Sequence, residues 1–189
     1  MPKLMIITSS TRPERLGHKI ADWIGGIAAQ DPDWDVMEVD LKDLDLPMLD
    51  EPDHPARGNY RNPHTREWSA MVDSADAFVV VTPEYNHGIP ASLKNAIDFL
   101  HREWQYKPMG FVSYGGVSAG TRAVQMLKQI VSALKIVPIV EAVNIPFFAR
   151  MIDGDGTFVP EPGLGDSARS MLGEVKKWTG PLAGMREAA

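Results

Sequence analysis

The run Ala77–Val81 (AFVVV) constrains the fold of this chain more than any other stretch. It is apolar throughout and rich in β-branched residues, so it reads as a buried strand, the strongest in the sequence. After the stiff polar loop TPEYNHGIP, Ala91–Leu100 changes period, with Leu93, Ala96, Ile97 and Leu100 on one helical face. The same alternation recurs along the chain. Leu4–Ile7 predicts a strand, and Ile20, Trp23, Ile24 and Ile27 a helix after it. Trp34–Val39 predicts a second strand and Arg66–Ser74 a short helix. Pro108–Ser113 predicts a fourth strand, and Leu127, Ile130, Val131 and Leu134 mark a long helix. Ile136–Val143 is the fifth strand, with Pro138 near its start. A last helix turns Ala168, Met171, Leu172 and Val175 inward. Asp50–Thr65 reads as a long loop, residues 145–163 as irregular chain, and Met185–Ala189 as a frayed tail.

Strands alternating with helices predict a parallel sheet covered on both faces. Five such units in 189 residues suit one flavodoxin-like domain, residues 1–189. This is a three-layer αβα, doubly wound α/β fold with a five-stranded parallel sheet in the order 2-1-3-4-5. Composition narrows the chemistry. Without cysteine there is no disulfide, thiolate metal site or cysteine nucleophile, which removes a low-molecular-weight tyrosine phosphatase. A net charge of −6 without a basic stripe argues against nucleic acid. No apolar run is long enough for a membrane span, and the N-terminus is too soon polar for a signal peptide. The expectation is a soluble cytoplasmic protein.

In this strand order, ligands bind beyond the carboxyl ends of the first and third strands. Three loops matter there. TSSTRPERLGHK comes after the first strand, with hydroxyls, Arg12 and Arg15 ahead of a helix. Taken alone it serves equally as a phosphate site or as a capped helix with solvated arginines. It matches neither a dinucleotide fingerprint nor a P-loop. TPEYNHGIP comes after the third strand: its prolines stiffen it, Gly88 turns it, and Tyr85 and Asn86 suit the face and edge of a planar heterocycle. SYGGVSAGTR comes after the fourth, where small residues allow close backbone approach. A receiver domain would need carboxylates where Ser9, Ser10 and Thr82 stand. DGDG at 153–156 lacks the rest of a calcium loop and reads as a polar turn, so no metal is expected.

PEYNHGIPASLKNAIDFL resembles the P-E-Y-N signature of the NADPH-dependent FMN reductase family. TSSTRPERLG resembles its phosphate loop and SYGGVSAGTRA its glycine loop, in the same order and spacing over residues 3–145. The resemblance implies bound FMN. Ser10, Arg12, Arg15, Gly17 and His18 would hold its phosphate. Pro83, Glu84, Tyr85, Asn86 and Gly88 would border the ring, and Ser113, Gly115 and Gly116 its polar edge. The chain departs from the pattern at Ser9, where the family has glycine, and at Ala119–Gly120, where it often has a glycine pair.

The resemblance further implies an FMN-dependent oxidoreductase. It would pass hydride from NADPH, or NADH, through FMN to quinone, azo, metal-oxyanion or flavin acceptors by a ping-pong mechanism. No catalytic acid or base is needed, because the cofactors carry the chemistry. Arg12, Arg15 and Arg122 are candidates for the 2′-phosphate of NADPH. The family implies a homodimer or homotetramer, and the loop Asp50–Thr65 is a candidate cap over a neighbouring subunit's pocket. The alternative is a non-enzymatic FMN-binding electron carrier or redox-sensing interaction protein.

Overall fold

The computed structural model describes residues 1–187. Its strands are β1 (Lys3–Thr8), β2 (Asp35–Asp40), β3 (Ala77–Pro83), β4 (Pro108–Tyr114) and β5 (Val137–Ile145). They form one parallel sheet in the order β2-β1-β3-β4-β5, as expected. Both faces are buried, which is why β3 shows no polar alternation. On one face Met5, Ile7, Phe78, Val80 and Phe111 meet α3 (Pro63–Ser74), α4 (Ala91–Asp98) and α5 (Thr121–Ala133). On the other, Leu4, Ile6, Val79, Val81 and Val112 meet α1 (Gly17–Ala28) and α6 (Leu164–Glu187). The short helix α2 (Leu41–Leu44) joins β2 to the long loop.

Several boundaries differ from the sequence reading, each for a local reason. Helix α3 begins at Pro63 rather than Arg66, because proline's fixed φ is already helical and its missing N–H costs nothing in the first turn. Just upstream, the Glu51 carboxylate accepts the Arg61 and Asn62 N–H groups. β3 and β4 run one to two residues further than expected, to Pro83 and Tyr114, where both remain buried. Pro138 sits second in β5, an edge strand, next to a register shift opposite Met109–Phe111. Met185 belongs to α6 rather than to a frayed tail; residues 188–189 of that tail lie outside the described residues.

The loop over 50–62 folds back on its own chain. Tyr60 donates to Glu103 at 3.1 Å, and Glu103 also accepts from Ser69. Asn95 in α4 fixes the approach to that loop by donating to the Pro47 carbonyl and accepting from the Leu49 N–H. None of these residues reaches the cleft at the carboxyl end of the sheet.

Candidate functional site

Three loops leave the carboxyl ends of β1, β3 and β4 and converge on a cleft of about 480 Å³. Ser10, Arg12, Arg15, Pro83, Glu84, Tyr85, Gly115 and Gly116, all named from the sequence, are among its lining residues. Larger hollows of about 680 and 730 Å³ lie elsewhere, around Lys107 and between α2 and α4. The smaller cleft is the candidate because the loops after β1, β3 and β4 meet in it, where open parallel sheets bind ligands; the hollow between α2 and α4 borders the first loop at Thr11 but draws nothing from the loop after β4.

The first loop is pinned from below. Ser9 is fully buried, and its N–H and hydroxyl both donate to the Val81 carbonyl at 3.1 and 2.8 Å. Its own carbonyl accepts from Ser92. Serine is therefore tolerated in place of the family glycine because its side chain points into the sheet, away from the cleft. Ser10 faces the cleft and shares a 2.6 Å hydrogen bond with the Tyr85 hydroxyl, which ties the first loop to the second.

The two arginines have different situations. Arg15 is paired with Asp40, which also caps α2. Arg12 forms no ion pair among the described residues and is exposed at the cleft. No side chain caps the start of α1, so its first N–H groups remain available to an anion. Gly17 belongs to this end for steric reasons: a Cβ there would lie 2.5 Å from the Tyr114 hydroxyl. His18 does not reach the cleft. It borders a separate hollow with Lys19, Asp22 and Phe158, and its Nδ1 is buried without a partner among the described residues.

The second loop contains a two-residue hairpin. Tyr85 and Gly88 exchange N–H···O bonds, both 2.9 Å. Asn86 and His87 hold positive φ, 51° and 70°, as the primed turns of hairpins require. Asn86 is thus an exposed turn residue, not a group aimed into the cleft. Gly88 does not have positive φ; its lack of a side chain leaves room for Met126, whose sulfur would sit 3.2 Å from an added Cβ. Glu84 turns the other way. Its nearly buried carboxylate pairs with Arg122 and accepts from the Ser118 hydroxyl and the Arg122 N–H, both at 3.1 Å. Burial alone would raise its pKa, but these donors hold it below the usual carboxylate value. Glu84 therefore clamps the second loop to the third.

In the third loop, Gly115 donates its N–H to the Ile145 carbonyl, so it is not free for a ligand. Gly116 is different: its N–H has no acceptor among the described residues, and a Cβ on it would meet nothing. Gly120 has φ +78°, and an added Cβ would lie 2.9 Å from Ser113 and Tyr114 atoms, so no other residue fits. Ser113 is buried beneath the loop, donating to Asn144 rather than lining the cleft.

The sequence reading missed one wall. Phe147, Phe148, Ala149 and Arg150 come after β5, the edge strand three steps from β1, and line the cleft as well. Tyr114, also missed, packs edge-on to Phe148 at 4.8 Å. Burial raises the Tyr114 pKa, against the pull of Arg12 and Arg15, so its phenol stays protonated. The signal for this wall was the aromatic pair in IPFFAR, just past a strand's carboxyl end. Phe147 has φ 46° and is 44% exposed, and its ring lies 4.7 Å from the Arg150 guanidinium carbon.

These features fit FMN. One end offers the Ser10 hydroxyl, Arg12 and an uncapped helix for a phosphate. The other offers aromatic walls and the free Gly116 N–H for a flat polar-edged ring. Among the described residues no helix is long and apolar enough to cross a membrane.

Comparison with known proteins agrees. The family described as NADPH-dependent FMN reductase matches residues 2–150. The chain is 39% identical over 191 aligned positions to an NAD(P)H-dependent FMN reductase of Schizosaccharomyces pombe, covering 99% of this chain and 92% of that protein. It is 37% identical over 98 residues to an NAD(P)H:quinone oxidoreductase of Solanum tuberosum, covering half of each. Among solved structures, FerB, a flavoenzyme NAD(P)H:(acceptor) oxidoreductase of Paracoccus denitrificans, shares the fold with a TM-score of 0.74. That match has 22% identity and covers 94% of this chain and 98% of FerB.

Proposed function

The chain belongs to the NADPH-dependent FMN reductase family, an NAD(P)H-dependent oxidoreductase with FMN as cofactor, and from that premise we propose that the cleft holds the FMN and serves quinone reduction. The observation that carries this reading is the convergence of the β1, β3 and β4 loops on one cleft with an anion-seeking end and an aromatic end. The quinone class is drawn from the similarity to the plant NAD(P)H:quinone oxidoreductase; azo, metal-oxyanion and free-flavin acceptors are further candidates. We take residues 1–189 as one functional domain, since α6 seals the sheet face that α1 begins to cover.

FMN held there would supply the two-electron chemistry between the nicotinamide and the acceptor. The chain's residues bind and orient. Ser10, Arg12 and the first N–H groups of α1 hold the phosphate, with Arg15 kept in place by Asp40. Pro83 and Tyr85 would border the ring, and the packed pair Tyr114 and Phe148 would help to exclude water from it. The free Gly116 N–H would serve the ring's polar edge, where negative charge develops on reduction. Glu84, tied to Arg122, neither donates nor accepts a proton and instead fixes two loops. No side chain is required as acid or base. Because nicotinamide and acceptor would occupy the same shallow cleft in turn, the kinetics are ping-pong.

Exposed Val117, Phe147 and Tyr85 around the cleft mouth support a homodimer or homotetramer. The test is an anaerobic visible spectrum of FMN-reconstituted protein before and after NADPH, then after a quinone. Bound flavin should bleach with NADPH and recover its colour with the quinone. Flavin that stays yellow would remove the reductase reading, and Arg12→Ala retaining FMN at full affinity would remove the proposed phosphate site.

A further inference from the structure

Four guanidinium groups stand at or beside the cleft, and two of them are already spent. Arg15 is paired with Asp40 and Arg122 with Glu84. Arg12 and Arg150 have no carboxylate partner among the described residues. They belong to different walls: Arg12 lies past the end of β1 and Arg150 past the end of β5. Those strands are three steps apart in the sheet, so their ends leave it roughly 14 Å from one another. A phosphate seated on Ser10 and the start of α1 is served by Arg12. Arg150 stands at the exit of a different strand and is left for a second anion.

The setting of Arg150 is built rather than incidental. Phe147 takes a left-handed backbone, which a bulky residue adopts at a cost. Its N–H donates to the Gly116 carbonyl at 3.3 Å, and its carbonyl accepts the Arg150 N–H at 2.9 Å. The ring so held supports the guanidinium from below. A guanidinium held over an aromatic face and paired with no carboxylate keeps N–H donors for a phosphate, which it can grip in two-pronged fashion. Glu14, the other cleft carboxylate besides Glu84, is exposed and not paired with it.

We propose that Arg150, supported by Phe147, binds the 2′-phosphate of NADPH and so favours NADPH over NADH. The assignment rests on the cleft being the FMN site. It replaces Arg15 and Arg122, which the sequence also offered and which are committed to carboxylates.

The test compares wild type with Arg150→Gln and Arg150→Lys, all loaded with FMN. Calorimetric titration uses adenosine 2′,5′-bisphosphate and 5′-AMP as probes, beside KM for NADPH and NADH. For Arg150→Gln the Kd for the bisphosphate, and the ratio of NADPH KM to NADH KM, should each rise about tenfold, the loss expected of a charge-assisted hydrogen bond. Arg150→Lys should recover part of it. An equal loss for both nucleotides, or no change in either ratio, overturns the assignment. A weaker FMN Kd in Arg150→Gln, read by fluorescence quenching, also overturns it and gives Arg150 to the flavin phosphate. Wild-type protein that retains no FMN overturns the cleft reading, and this proposal with it.

Discussion

Ala119 stands with φ 52° in the glycine loop, where the family often has glycine. A left-handed alanine carries about 1 kcal/mol of steric cost, while glycine there would lose roughly 0.4–1 kcal/mol through a freer unfolded chain. Ala119→Gly should therefore leave stability unchanged or raise it by up to ~0.6 kcal/mol, read from urea midpoints. A larger loss would mean that packing of the buried methyl dominates. At Glu84 the donors, not burial, decide the sign of the pKa shift. Its folded pKa is lowered, so its stabilisation is present above the ordinary value of 4.5 and is lost as pH falls below it. Glu84→Gln should cost about 1–2 kcal/mol at pH 7, weaken FMN several-fold, and lose less stability than wild type as the pH falls below 4.5. Identical acid profiles for the two proteins would discard the clamp. The sequence disclosed that Glu84 sits beside the cleft but not that it faces Arg122, because a partner 38 residues away has no local signature.

Elements were legible wherever periodicity was strong. The five strands and the apolar faces of α1, α4, α5 and α6 all show in the hydrophobic spacing, since each must bury one stripe or both faces. The start of α3 was not legible, because Pro63 and the polar residues before it look like loop until the chain is seen turning at Glu51. Nor was the Phe147–Arg150 wall, whose aromatic residues carry no period. A tight helix–sheet contact is also invisible in sequence. A Cβ on Gly110 of β4 would lie 3.0 Å from the Met171 sulfur and 3.1 Å from a Val175 methyl of α6. Methionine can move aside, but valine is stiff. Gly110→Ala should thus lose about 1–3 kcal/mol, and Met171→Ala in the same background should not add its full cost. Strictly additive losses in that double-mutant cycle would show that the two positions do not touch.

Across the whole molecule, the sheet separates two chemistries. The carboxyl ends carry the cleft; the amino ends carry Lys107, 3% exposed, whose ammonium donates to the Val72 and Asp73 carbonyls at the end of α3. Burial pulls its pKa down to about 8, with Asp73 opposing. The unfolded chain keeps that proton to about pH 10.5, so it binds more protons than the native state between those values. Stability should accordingly rise from pH 8 toward 10.5, by at most about 1.4 kcal/mol per unit, and the cost of the buried ammonium is fully present below pH 8. Lys107→Met should flatten that slope in urea titrations at pH 7.5, 8.5 and 9.5. An unchanged slope would assign it to other groups. The global topology was readable because alternating strands and helices admit few arrangements; the distribution of charge over its two ends was not, since it depends on which ends the crossovers bring together. The same topology also orders events in time. Ser9 hangs from Val81, 72 residues further along the chain, so the phosphate loop has no seat until the central strands have met. Helices can form within microseconds, whereas such distant pairing is slow. On dilution from denaturant with FMN present, far-UV circular dichroism should recover first and flavin fluorescence should be quenched later, making flavin capture a clock for the last stage of folding.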